Sequence, residues 1–225
     1  MNHSQPFESS PRKIEIMDTT LRDGEQTSGV SFAAEEKVSI VRLLLEELHV
    51  DRVEIASARV SEGEFASVQK IAQWAKKNGH IDRIEILGFV DGKASLDWIA
   101  ATGCNVVNLL CKGSENHCTH QLRKTVNEHL ADIRSVIADA KSRGMTVNIY
   151  LEDWSNGMRD SQAYVFEMMD ELRHQPIARY MLPDTLGVLN PSETKEFCET
   201  MVNRYPDLHF DFHAHNDYDL AVANV

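Results

Sequence analysis

The sequence predicts an α/β fold, a (β/α)8 TIM barrel truncated after its seventh strand. Three observations carry this. Short β-branched runs alternate with amphipathic helical stretches along the whole chain, the pattern of a parallel sheet. Several strand candidates place a polar residue at every second position, as if one face were a polar interior. Seven strands can be counted, and 219–225 reads as the opening of the helix after the seventh.

The elements follow in order. The strand candidates are 13–18, 52–57, 83–88, 105–110, 146–151, 178–182 and 208–213. After the first, Val38, Val41, Leu45 and Leu48 recur at helical spacing behind Glu35, Glu36 and Lys37. Further helices are expected over 63–78, 125–143, 161–173 and 191–204, the last opened by Asn190-Pro191-Ser192. Gly79, Gly103 and Gly144 stand where helices should stop. Residues 1–12 read as a disordered N-terminus, and 13–225 as an incomplete barrel domain lacking strand eight and any C-terminal regulatory region.

Strand parity separates a barrel from an open, flavodoxin-like sheet. Glu54, Glu85, Asn108, Asn148, Tyr150, Glu152, Asp211, His213 and His215 share one parity; Val53, Ile55, Ile84, Ile86, Val147, Ile149, Leu151, Phe210 and Phe212 share the other. Helices cover both faces of an open doubly wound sheet, which favours unbroken apolar strands. A barrel offers a second face that can be a polar, site-bearing interior.

Composition narrows the class of function. The 225 residues include 35 acidic and 23 basic side chains, a formal charge of −12, with no long basic run, which argues against a nucleic-acid binder. At 42% hydrophobic and 26% charged the chain is ordinary for a globular protein. No apolar run approaches the ~20 residues of a membrane-spanning helix, and the N-terminus shows no secretory signal. Cys104, Cys111, Cys118 and Cys198 form no CxxC pair and read as reduced thiols, so a cytoplasmic location is expected.

The candidate chemistry lies at strand ends. His213-Ala214-His215 closes the seventh strand, and residues two apart in extended chain point the same way. Two neutral imidazoles converging there suit a divalent metal. The first strand runs into Asp18-Thr-Thr-Leu-Arg22-Asp23-Gly24-Glu25-Gln26, whose Asp23 is the expected carboxylate partner and whose Arg22 offers fixed positive donors to an anion. Glu152 ends the fifth strand with Tyr150 inward beside it, and Leu182-Pro-Asp-Thr185-Leu-Gly187 ends the sixth. All of these belong to the C-terminal face, where barrel active sites assemble.

These segments carry a resemblance. Asp18–Gln26 with His213–Asp217 resembles the DRE-TIM metallolyase superfamily. Together with 83–88, 151–157 and 182–187 the chain looks like its Claisen-condensing synthases: 2-isopropylmalate, homocitrate and citramalate synthases. Glu25, where lyases of the superfamily more often carry leucine, favours a synthase. The wording of 26–32 and 150–154 looks closest to citramalate synthase. Asp219 departs from the glycine common there. The resemblance implies condensation of acetyl-CoA with a 2-oxo acid and then hydrolysis of the thioester, a divalent zinc, manganese or magnesium ion, and a homodimer. It implies Asp23, His213 and His215 as metal ligands, Arg22 on the developing alkoxide, Glu152 and Glu25 as acid–base partners, and Thr185 on the substrate carboxylate. The side-chain pocket would be Leu87, Leu110 and Tyr150, small and apolar, which suits pyruvate. A 2-isopropylmalate synthase, a carbon–carbon lyase on the same scaffold and an inactive metal-binding fragment are the alternatives.

Overall fold

The structure, a computed structural model, describes residues 14–225. Seven strands lie parallel in one sheet, in chain order: β1 (Met17–Asp18), β2 (Arg52–Ser57), β3 (Ile84–Phe89), β4 (Val106–Lys112), β5 (Thr146–Glu152), β6 (Arg179–Asp184) and β7 (Phe210–Ala214). Helices return the chain between them: α1 (Ala34–Arg42), α2 (Glu62–Lys77), α3 (Ala94–Thr102), α4 (Val126–Ser142), α5 (Trp154–Asp160), α6 (Gln162–Leu172) and α7 (Pro191–Arg204), with α8 (Ala221–Asn224) after β7. Among the described residues no ladder joins β1 to β7.

The alternating pattern sorts the two faces as the sequence requires. Val53, Ile55, Ile84, Ile86, Val147 and Ile149 are fully buried under the helices in one continuous core. Each such side chain contributes roughly 1.5–3 kcal/mol by leaving water. Glu54, Glu85, Asn108 and Asn148 are equally buried on the other face. Buried polar groups demand partners, and these find one another. Asn148 donates to Asn108 (2.9 Å), and Asn108 donates to Glu54 (2.8 Å). Arg52 of β2 binds Glu85 (3.1 Å) and reaches across the interior to Asp211 of β7. A bulge between Glu54 and Ala56 shifts the β2–β3 register, so that Ser57 lies beside inward Leu87.

The structure departs from the sequence reading in four places. β1 is two residues long, and Ile14 and Ile16 are exposed beside it; Lys13 and the N-terminal segment expected to be disordered lie outside the described residues. α1 passes into a π-helical turn over Leu43–Glu47, closed by Leu48 N–H on the Leu43 carbonyl at 2.9 Å. That wide turn rotates the helix end, so Leu44 is buried and Leu48 exposed. α3 is signalled in the sequence only by Gly103 at its end, with no range read for it, because a mostly apolar stretch blurs its helical stripe. The short α5 carries Gly157 in mid-helix, a residue that discourages a helical reading. A Cβ there would stand 2.1 Å from the Gly113 carbonyl oxygen, so close backbone approach explains the glycine.

Cys104, Cys111 and Cys118 are buried, Cys198 partly so, and all four are free thiols. Among the described residues no helix is long and apolar enough to cross a membrane.

Candidate metal centre and active site

The loop after β1 is wound around one carbonyl. Thr19 O accepts the amides of Arg22 (3.1 Å), Asp23 (2.8 Å) and Gly24 (3.1 Å), while the Asp18 side chain accepts Thr20 N–H at 2.9 Å. This tight winding buries Leu21 and sends Arg22 and Asp23 together towards the barrel axis.

Arg22 is held on three sides. Its Nε donates to Glu54 (2.5 Å), Nη1 to Asp23 (2.9 Å) and Nη2 to the Tyr150 hydroxyl (3.4 Å). Its guanidinium carbon lies 5.6 Å from the centre of the Tyr150 ring. Burial opposes its charge, but Glu54, Tyr150 and Asp23 outweigh burial and raise its pKa. Burial, then the Glu54 charge, pushes the Tyr150 phenol well up, so it stays protonated.

Strand parity at the end of β7 aims both histidines at Asp23. Asp23 Oδ2 is 3.2 Å from His213 Nε2 and 3.6 Å from His215 Nε2, and the two Nε2 atoms are 3.2 Å apart. A point about 2.1 Å from all three atoms exists just off their plane, which is the spacing of zinc ligands. The donor set of one carboxylate and two imidazoles also suits manganese. Burial pushes the Asp23 carboxyl up, but His213, Arg22 and His215 overcome this and hold it at about 2. Burial lowers His215, against the pull of Asp23, which favours the neutral, ligating imidazole. The trio could hold a divalent ion.

The β6–α7 loop packs directly behind this centre. Gly187 has φ +58°, and a Cβ on it would lie 2.6 Å from the Asp217 amide nitrogen and 2.9 Å from the His215 carbonyl carbon. Only glycine permits that approach. Thr185, in the same loop, accepts Asp153 N–H at 2.9 Å. Among the described residues its own hydroxyl proton has no acceptor, so it is free to donate.

Leu87, Tyr150 and Met181 form a small apolar cluster apart from the main core, with Met17, Phe89 and Leu110 packed against it. The Tyr150 ring meets the His213 ring edge-on at 5.8 Å between centres. A recess of about 240 Å³ opens between Asp23, Tyr150, Met181 and His213.

Two expected site residues are placed differently from the rest. Glu25 is turned away towards the helices: its carboxylate accepts from buried Lys37 Nζ (2.5 Å) and from Phe32 N–H (3.0 Å), and Lys37 also binds Glu64. There it braces the loop that carries Arg22 and Asp23. Glu152 lies at the strand mouth and is paired with Lys112 of β4. Three residues of the site escaped sequence reasoning. Glu54 stood out only as a lone carboxylate of inward parity. Lys112 shares the parity of Leu110, two residues earlier. Met181 has the look of any core residue.

Residues 13–225 match the family model described as HMGL-like. The chain belongs to the HMGL-like family. Among relatives of this HMGL-like chain, a probable 2-isopropylmalate synthase of Ignicoccus hospitalis is 33% identical over 221 residues, covering 98% of this chain and 53% of the relative. A homocitrate synthase of Sulfolobus acidocaldarius is 32% identical over 213 residues, covering 95% and 44%. The chain thus spans about half the length of the curated relatives it matches. Among solved structures, the HMG-CoA lyase of Bacillus subtilis superposes with a TM-score of 0.71 at 22% identity, covering 95% of this chain and 72% of the lyase. That of Brucella melitensis gives 0.73 at 17%, covering 94% and 75%. At such identities the likeness is one of fold, and it places the seven-stranded sheet among barrels.

Proposed function

We propose that this HMGL-like chain carries the catalytic face of an acyltransferase that condenses acetyl-CoA with a 2-oxo acid, after which water cleaves the thioester and releases CoA as the free thiol. The observation that supports this best is the convergence of Asp23, His213 and His215 beside an arginine already committed to charge stabilisation. A divalent ion held by these three would supply Lewis-acid polarisation of the oxo carbonyl. Arg22, fixed by Glu54 and Tyr150, is positioned to stabilise the alkoxide oxygen that forms on attack. Thr185 has a hydroxyl proton to give the substrate carboxylate. Glu152 serves as the base that takes a proton from the acetyl methyl, and Glu25 acts at one remove by bracing the loop. Relatives named as synthases of this type support the reading.

For the oxo acid, the reading is pyruvate. Leu87, Tyr150 and Met181 form an apolar layer with Leu110 packed against it, and Arg22, the cation beside Tyr150, is already engaged by Glu54 and Asp23, which disfavours the distal carboxylate of 2-oxoglutarate. The second reading is 2-oxoisovalerate, favoured by the relatives named 2-isopropylmalate synthase. Apolar pockets discriminate by only ~10–200-fold per methylene. Steady-state thiol release by the full gene product, with acetyl-CoA and each oxo acid, decides between them. Pyruvate should give the highest kcat/KM, and Leu87→Ala should shift the preference towards 2-oxoisovalerate. A parent enzyme that prefers 2-oxoisovalerate would replace the pyruvate assignment with the isopropylmalate one.

A further inference from the structure

Lys112 is held more elaborately than an ion pair at a barrel mouth requires. Among the described lysines only Lys37 and Lys112 are drawn in from the surface; all others are exposed. Its main chain is fixed by two buried side chains. Its amide donates to His129 Nε2 at 3.0 Å, and its carbonyl accepts from the Tyr164 hydroxyl at 2.9 Å. The next residue, Gly113, donates to the Glu152 carbonyl at 2.6 Å. A Cβ on Gly113 would stand 2.4 Å from the Leu151 carbonyl oxygen, so the ends of β4 and β5 are locked together. Lys112 and Glu152 are direct register partners on these strands. Their side chains pair side by side at the mouth, 14% and 24% exposed.

This pair stands two residues beyond Leu110 and Tyr150 on the same face. At about 3.3 Å per residue it sits roughly 6.6 Å above that layer, towards solvent. A ligand between the apolar layer and the mouth would therefore meet the ammonium and the carboxylate side by side.

We propose that Lys112 is a catalytic residue whose ammonium receives the thioester oxygen of acetyl-CoA as the enolate forms. The inference rests on the condensation reading above. A cation bound to a general base would ordinarily weaken it, because protonation strips the cation of its partner. Here the negative charge does not leave. Glu152 takes the methyl proton; the electron pair of the broken C–H bond becomes the C=C bond, and the carbonyl π pair moves onto the thioester oxygen. The anion passes from the Glu152 carboxylate to that oxygen, and Lys112 keeps a negative neighbour throughout. The enolate carbon then bonds to the oxo carbon, the thioester C=O re-forms, and the new alkoxide falls to Arg22.

The test uses the full gene product as parent, K112M, K112Q and K112R. Two CoA thioethers serve as probes: carboxymethyl-CoA, whose carboxylate sets anionic oxygens one bond beyond the position of the enolate oxygen and within reach of the same donor, and S-ethyl-CoA, which has none. Removing one preorganised oxyanion donor costs ~10²–10³-fold in rate, so K112M and K112Q should lose about that in kcat. KM for the oxo acid should hold, and K112R should recover part of the loss. Both neutral variants should bind carboxymethyl-CoA at least ~10-fold more weakly than the parent and S-ethyl-CoA equally well. If K112M fails to fold, K112Q, which keeps a hydrogen bond to Glu152 without the charge, carries the comparison. Equal loss of both thioethers, or parental kcat in K112Q, would reduce Lys112 to a structural partner of Glu152 and overturn the inference. A parent that neither condenses acetyl-CoA with any 2-oxo acid nor binds these thioethers would instead overturn the condensation reading, and this inference with it.

Discussion

Asp23 and His213 stand 190 positions apart in sequence, at the ends of the two edge strands, yet Asp23 Oδ2 lies 3.2 Å from His213 Nε2. The curvature of the sheet therefore does the work that a local motif does elsewhere, and any loss of that curvature should appear first as loss of the metal centre. Asp23→Asn is expected to weaken binding of a divalent ion by at least ~100-fold, beyond the ~10–100-fold that loss of an outer partner costs. Titration of the apo chain with manganese or zinc, read by competition with a chelator, measures this directly.

Gly187 protects the same centre from behind. Gly187→Ala would place a Cβ at φ +58° against the His215–Asp217 backbone. The strain is expected to cost roughly 1–3 kcal/mol of stability. Because it falls on the backbone of a ligand, ion affinity should drop as well. Denaturant unfolding and ion titration on one preparation report both quantities; unchanged affinity would mean the loop yields without moving His215.

Glu54 anchors Arg22 from a wholly buried position and receives Asn108 on its other oxygen. Removing one member of a buried ion pair costs about 3–5 kcal/mol, since the other charge is left unpaired. Glu54→Ala should reach that range in urea unfolding, and Glu54→Gln, which preserves the shape, should lose less.

His129 sets a pH dependence of stability. Burial, then the Lys124 charge, pushes this histidine down to about 4, and its Nε2 accepts the Lys112 amide, so the folded chain holds it neutral. Unfolded, it titrates near 6.5. Above about pH 6.5 both states are neutral and the stabilisation is complete. Between about 6.5 and 4 the unfolded chain binds a proton that the folded chain refuses. Stability should therefore fall with pH across that window, by up to about 1.4 kcal/mol per pH unit. His129→Gln keeps an acceptor and should flatten the slope; thermal midpoints from pH 4.5 to 7.5 for both proteins check it.

Much of this fold was legible because barrel parity is written in single residues. Glu54, Asn108 and Asn148 each interrupt an apolar strand at an inward position, and the chain buries all three against one another. His213 and His215 were legible for the same reason. The sequence hid what depends on neighbours far along the chain. Glu25 sits two residues from Asp23, and nothing local says that Lys37, twelve residues on, turns it away. Lys112 resembles any surface lysine until His129 and Tyr164 are seen to hold its backbone. The β2 bulge and the π-turn after α1 are adjustments to packing, with no residue type that announces them.

The most direct test of metal-assisted condensation is release of free CoA thiol by the full gene product from acetyl-CoA and pyruvate, after chelator treatment and after readdition of zinc, manganese or magnesium. Thiol release is expected only with both a 2-oxo acid and a divalent ion present, and is expected to be lost in His215→Ala. Undiminished release by the chelated enzyme, or release from acetyl-CoA that no 2-oxo acid enhances, would contradict it.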